Sequence, residues 1–146
     1  MRIVGDWFLF DDGETRPILR AKLWTGQGMV VTEQFLVDTG ADRTVFTATL
    51  LQQLALPVEP APADERLVGI GGVAAYVIVQ STIELTCDDG RPAVVRGKFI
   101  AFTDPRSTDL SVMGRDVLNN FHVIVSRPNS EILLLAPRHR YEVLHA

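Results

Sequence analysis

The chain has 146 residues, 47% hydrophobic and 22% charged, with a net charge of −4. That is an ordinary globular composition, long enough to bury a core. The acidic balance excludes the basic footprint of a nucleic-acid-binding surface, and no apolar run reaches the roughly 18 residues of a membrane span.

The N-terminal stretch MRIVGDWFLF is followed closely by Asp11 and Asp12 and already interrupted by Asp6. It does not read as a secretory signal. Cys87 is the one cysteine and has no internal partner for a disulfide. That fits a reducing compartment, so a cytoplasmic location is expected. The pattern of apolar residues and turn formers predicts mainly short strands. Trp7 to Phe10 is a strand closed by the hairpin turn Asp11-Asp12-Gly13. Pro17 to Trp24 alternates imperfectly, with Leu19, Ala21 and Leu23 on one side. Gly26-Gln27-Gly28 turns the chain, and Met29 to Val37 returns as a second strand that delivers Asp38 at its end.

Thr47 to Leu56 is the best helix, with Leu50, Leu51 and Leu54 on one side, Thr47 as the cap and Pro57 as the stop. Val58 to Glu65, rich in Pro, Ala and acid, reads as an exposed loop. A glycine-rich segment follows, and then Tyr76 to Thr86 and Val94 to Phe102 form a hairpin around Asp88-Asp89-Gly90. Thr103 to Leu110 is a polar loop, Ser111 to Met113 a short strand, and Arg115 to Phe121 a short helix. His122 to Ser126 and Glu131 to Leu135 make a last hairpin around Pro128-Asn129-Ser130. The tail from Pro137 onward has no clear assignment. No repeat or linker divides the chain, so one domain over residues 1–146 is expected. It is mainly β, a small closed or partly closed barrel with one or two short helices.

The chemistry concentrates in FLVDTGADRTVF, Phe35 to Phe46. An acid that follows three apolar residues is expected to be buried, which is costly unless it is hydrogen-bonded, paired or protonated. Gly40 lets the backbone turn tightly beneath the carboxylate, since it has no Cβ to exclude a positive φ, and Thr39 offers a hydroxyl for a fixed bond. A carboxylate held at a strand end in this way suits general acid–base work on water. Two carboxylates sharing a proton suit it better, because their titrations split.

LVDTGADRTVF resembles the active-site segment of the retropepsin-like aspartic proteases. Three features match in order: Leu36 to Ala41 with Asp-Thr-Gly-Ala; the glycine-rich Val68-Gly69-Ile70-Gly71-Gly72, where the family has its flap; and Val112-Met113-Gly114-Arg115-Asp116-Val117-Leu118. The resemblance as a whole spans about residues 17–135. The longer gap between the first two, filled by the helix and a Pro/Ala loop, is similar to the bacterial and cellular branch. Arg43 stands where some viral enzymes have a second Asp, which bears on substrate preference.

The resemblance implies a closed barrel of the retropepsin type and an aspartic endopeptidase that needs no cofactor or metal. Asp38, Thr39 and Gly40 would be catalytic. Ala41, Asp42, Gly69, Ile70, Gly71 and Gly72 would contact a polypeptide substrate, and Arg115 would support the loop by pairing with Asp42. The chain holds one Asp-Thr-Gly, and Asp104, Asp109 and Asp116 are not followed by Thr or Ser and then Gly. The second carboxylate is therefore expected from a second copy in a two-fold dimer, with Thr39 bonding across the axis. Ala41 removes the hydroxyl that a Ser there would aim at the carboxylate, so activity is expected at mildly acidic to near-neutral pH. In viral relatives both termini contribute to an intersubunit sheet. Ile132 to Leu135 is accordingly either a core strand or a strand buried between subunits.

Other residues have plainer readings. Cys87 is a strand-end residue, and His122, His139 and His145 lack metal-ligand spacing. Asp11-Asp12 and Asp88-Asp89 form turns and match no calcium loop. The alternatives to an enzyme are a non-catalytic peptide-binding or dimerisation module on the same barrel, or an incidental DTGA in an unrelated barrel. The ordered match of three segments disfavours the second.

Overall fold

Alternating patterns set the strands. In the computed structural model, which describes residues 1–62, 67–69, 72–138, 140 and 142–144, β1 spans Arg2–Leu9, β2 Thr15–Trp24, β3 Val30–Val37 and β4 Val45–Phe46. Helix α1 (Ala48–Leu54) precedes β5 (Val58–Pro60), β6 (Leu67–Gly69), β7 (Gly72–Ala74), β8 (Tyr76–Thr86) and β9 (Pro92–Phe102). The chain continues through β10 (Ser111–Met113), α2 (Arg115–Leu118), β11 (His122–Ser126) and β12 (Glu131–Leu135).

The large sheet runs β11-β12-β1-β2-β3-β10-β4-β9-β8-β5, and β2 also pairs with β8. That extra pairing, at Lys22 and Glu84, closes β2, β3, β10, β4, β9 and β8 into a six-stranded barrel. Leu19, Ala21 and Leu23 of β2 point inward, as their alternation predicts, while Arg20 and Lys22 are exposed. They meet Phe35, Val79, Ile83, Leu85 and Phe99 in one core. Phe46 sits between Phe35 and Phe99, with ring centroids 5.9 and 5.4 Å away, a separation at which aromatic pairs attract.

The hairpin turns form where Gly13, Gly28 and Gly90 take positive φ, a region open to glycine because it has no Cβ. The helix α1 is capped as expected: the Thr47 hydroxyl accepts from the Leu50 N–H at 3.1 Å. It ends at Leu54 rather than Leu56, because Ala55 turns left-handed at φ 48° before Pro57 is reached. Likewise α2 is a single turn, Arg115–Leu118, not a helix to Phe121.

Three further differences concern strands. The first strand is twice the length expected from Trp7 to Phe10. Its front half, Arg2 to Gly5, pairs with β12, and its rear half, Asp6 to Leu9, pairs with β2. The segment Val58–Pro60, read as loop, is an edge strand on β8; its three side chains are exposed, so it carries no apolar pattern to read. The two-residue β4 is too short to show a period. Ile132 to Leu135 is a core strand, flanked within the chain by β1 and β11, with Ile132 and Leu134 fully buried. The tail forms no strand or helix among the described residues.

Glu33 of β3 gives the barrel a pH dependence. Its carboxylate accepts from the Ser111 hydroxyl at 3.1 Å, and that hydroxyl accepts from the Thr47 N–H at 3.1 Å, tying β3 and β10 to the start of α1. Burial pushes the Glu33 carboxyl up, against the downward pull of the Ser111 and Gln34 donors. The folded protein then binds the proton more tightly than the unfolded chain. Stability on this account is fullest below the ordinary glutamate range and falls as pH rises through it. Glu33→Gln, which keeps an acceptor for Ser111, should be more thermostable than the parent at neutral pH. The gap should close below about pH 4. Parallel melting curves across pH test this, and a gap that is constant or reversed refutes it.

Candidate active site

Asp38 stands where the parallel pair β3 and β10 opens. Its N–H donates to the Met113 carbonyl at 3.1 Å, continuing the register of Val37 with Met113. The chain then turns at once: Ala41 N–H donates to the Asp38 carbonyl at 3.2 Å, and Gly40 N–H donates to Asp38 Oδ1 at 3.0 Å. The carboxylate is half-buried, and Thr39 and Gly40 are exposed. The apolar residues before Asp38 suggest deeper burial. Strand β3 instead ends at Val37, and the acid emerges on a surface loop.

Gly40 is needed for closeness rather than for handedness. Its φ is not positive, contrary to expectation. A Cβ there would lie 3.2 Å from Asp38 Oδ1, tighter than ordinary contact and against the atom that the Gly40 N–H holds.

Arg115 at the start of α2 grips the loop from below. Its guanidinium donates to the Thr39 carbonyl at 2.8 Å and pairs with the Asp42 carboxylate. The Asp42–Arg115 pair is thus present as expected. Asp42 is 81% exposed, so the ion pair itself contributes little to stability; its effect is to fix the Thr39 backbone. The Arg115 N–H also donates to the Ala41 carbonyl at 2.8 Å.

Beneath this lies a knot that the sequence does not announce. Asp116 accepts from Thr44 N–H at 2.9 and 3.0 Å, from Thr44 Oγ1 at 2.6 Å and from Val117 N–H at 2.9 Å. Thr44 Oγ1 in turn accepts from Gly114 N–H at 3.1 Å. Gly114 permits the contact, since a Cβ on it would lie 2.6 Å from the Arg43 carbonyl group. Sequence reasoning sets Asp116 aside as a second catalytic acid and otherwise counts it only as one residue of the matching segment Val112 to Leu118. Its role is to hold the loop, and only the pairing of segments 72 residues apart reveals it.

The strands β6 and β7 form their own small hairpin, with Gly69 opposite Gly72. Ile70 and Gly71, assigned to the flap with them, lie outside the described residues. Among the described residues this hairpin pairs only with itself, and no register joins it to the Asp38 loop. On the strands leading into that loop a cavity of about 460 Å³ opens, lined by Phe10, Asp12, Arg16, Leu36, Leu110 and Val112 among others. Arg16 and Asp12 pair there at 2.7 Å, which holds the Asp12 carboxyl down at about 2. Cys87 is buried, and burial pushes its thiol up, as befits a packing residue rather than a nucleophile. No cluster of three or more His, Cys, Asp or Glu side chains suited to a metal occurs among the described residues. No helix among them is long and apolar enough to cross a membrane.

A closed six-stranded barrel with Asp-Thr-Gly at the opening of a parallel strand pair, braced by Gly-Arg-Asp from a short helix, is the retropepsin-like fold. Residues 25–134 match the model of the aspartyl protease family, and the chain belongs to that family. Among solved structures, EIAV protease in complex with the inhibitor HBY-793 is 20% identical, with a TM-score of 0.53 over 77% of this chain and 92% of that one. A retropepsin-like aspartic protease from Rickettsia conorii is 17% identical, with a TM-score of 0.54 over 92% of this chain and 90% of that one. At these identities the likeness is one of fold. A comparison with curated proteins gives no match.

Proposed function

We propose that the protein is an aspartic endopeptidase that works as a homodimer, with Asp38 and its copy forming the water-activating pair. The observation that carries this reading is a single Asp-Thr-Gly loop, rigidly braced from below by Arg115 and Asp116 yet exposed at Thr39 and Gly40. A loop held so firmly and left open at its tip is suited to meet its own image across a two-fold axis.

In this mechanism one Asp38 is ionised and takes a proton from a bound water, while the other is protonated and donates to the scissile carbonyl oxygen. Water adds to the carbonyl carbon, giving a tetrahedral intermediate. A proton passes to the nitrogen as the C–N bond breaks. Thr39 bonds across the axis, and Gly40 holds the Asp38 carboxylate in place. Extended substrate lies against Ala41 and Asp42 beneath the hairpin carrying Gly69, Ile70, Gly71 and Gly72, bonded through its main chain as an added strand is. A substrate side chain enters the cavity beside Leu36 and Val112.

The test is hydrolysis of a mixed peptide library with and without a statine-type inhibitor, whose hydroxyl mimics the attacking water. Activity per subunit should fall on dilution, because each site needs two chains. Inhibitor-resistant or dilution-independent cleavage refutes the reading. With Ala41 in place of a hydroxyl donor, the pH–rate profile should peak between mildly acidic and neutral pH; a peak near about pH 2, as for a strongly acid-adapted dyad, contradicts the role given to Ala41.

A further inference from the structure

We propose that the cavity beside the Asp38 loop selects a cationic side chain, lysine or arginine, on the substrate residue next to the scissile bond. This rests on the endopeptidase reading above and names the kind of substrate that site takes. The wall that makes the choice comes largely from the β1–β2 hairpin, which lies outside residues 25–134 that match the family model.

Position ties the cavity to the reaction. Leu36 precedes Asp38 by two residues, so both side chains leave the same side of the strand, about 7 Å apart along it. Val112 stands beside Leu36 in the parallel register of β3 with β10. Both line the cavity of about 460 Å³, and Phe10 and Leu110 complete its apolar part. All four are half-buried, so they leave apolar surface for a side chain to cover. A side chain that enters here belongs to a residue adjoining the bond that Asp38 attacks.

The mouth has the opposite character. Asp11, Asp12 and Asp109 line it against one cation, Arg16. Arg16 is already committed: its guanidinium donates to both Asp12 oxygens, at 3.1 and 2.7 Å, and lies 5.2 Å from the centre of the Phe10 ring. Asp11 and Asp109 remain, both exposed and in no ion pair among the described residues. The turn that presents Asp11 is fixed. Phe10 N–H donates to the Glu14 carbonyl at 2.9 Å, Gly13 N–H to the Phe10 carbonyl at 3.0 Å, and Glu14 N–H to Asp12 Oδ1 at 2.9 Å. Lysine and arginine fit such a cavity because each joins an apolar stem to a charged head. The stem lies on Leu36, Leu110 and Val112, and the head reaches the two carboxylates at the mouth. An acidic side chain meets like charge there and is rejected. In a two-fold dimer each subunit supplies one such cavity, so the preference holds on both sides of the bond.

Three peptides sharing one frame, with lysine, norleucine or glutamate before the scissile bond, test this; norleucine keeps the stem without the charge. Lysine should exceed norleucine in kcat/KM by roughly fivefold or more at low salt, with glutamate the poorest. In the double variant Asp11→Asn with Asp109→Asn the lysine-to-norleucine ratio should fall towards unity, and Asp109→Lys should favour glutamate over lysine. Because the two acids are exposed, the preference should also shrink as salt rises. The same three side chains on uncleavable hydroxyethylene analogues, with binding measured by calorimetry, separate the cavity from the chemistry. Asp38-dependent hydrolysis with no lysine preference, or with one that survives both substitutions, overturns the proposal and leaves the enzyme. Analogues bound in the order lysine, norleucine, glutamate by a protein that hydrolyses nothing keep the preference and remove the enzyme. Analogues bound equally or not at all, with no hydrolysis, remove both.

Discussion

Asp38→Asn should lower peptide hydrolysis by on the order of 10⁴-fold, the scale of losing an essential acid–base group, while the melting temperature stays close to that of the parent. The substitution is nearly isosteric. The Asn side-chain oxygen can still accept from the Gly40 N–H, a bond of 3.0 Å in the parent, and the main-chain bond to Met113 is untouched. What is lost is the ability to take a proton from water or give one to the carbonyl. Mixing the variant with the parent makes the test sharper. If one site needs two Asp38 side chains and subunits exchange, activity falls as the square of the parental fraction. If each chain held a complete site, the fall would be linear. Hydrolysis that survives the substitution, or a linear titration, refutes the shared dyad.

Thr44→Val should destabilise the fold by about 2–3 kcal/mol, because it removes a hydroxyl from a closed network while preserving shape. For a chain of this length that is a fall in melting temperature of roughly 5–10 °C. Thr44 is fully buried. Its hydroxyl donates to Asp116 at 2.6 Å and accepts the Gly114 N–H at 3.1 Å. Valine strands the Gly114 N–H and deprives the Asp116 carboxylate of its shortest bond. Thr44→Ser, which restores the hydroxyl and omits only a methyl, should recover most of the loss. Because the same network braces the loop that carries Asp38, activity should fall in parallel with stability in the valine variant. Equal melting temperatures for the Thr44→Val variant and the parent would show that the Thr44–Asp116 link does not hold the loop.

What can be read in advance is local. Gly13, Gly28 and Gly90 mark turns because their φ values are positive, and that requirement is written in one residue. Thr47 marks a helix start because its hydroxyl reaches only three residues ahead. The Asp42–Arg115 pair and the retropepsin type of the barrel come from three segments matching a family in order, a longer-range signal but still a string of residues. The readings that fail are of two kinds. For Gly40 the residue is right and the reason wrong, since its constraint is the nearness of Asp38 Oδ1 rather than its own φ. For Asp38 the expected depth is too great, since burial depends on where β3 ends and what lies over it.

The sequence by itself determined the turns, the helix cap, the strand-rich class and the one acid worth watching, because each depends on interactions within a few residues or on a short motif. The tertiary structure alone decided the closure of β2 on β8, the capture of Ile132 to Leu135 between β1 and β11, and the Thr44–Asp116 bond. These are contacts between segments far apart in the chain, set by which strand edges meet once the core has closed, and no local pattern of residues records which edge will find which.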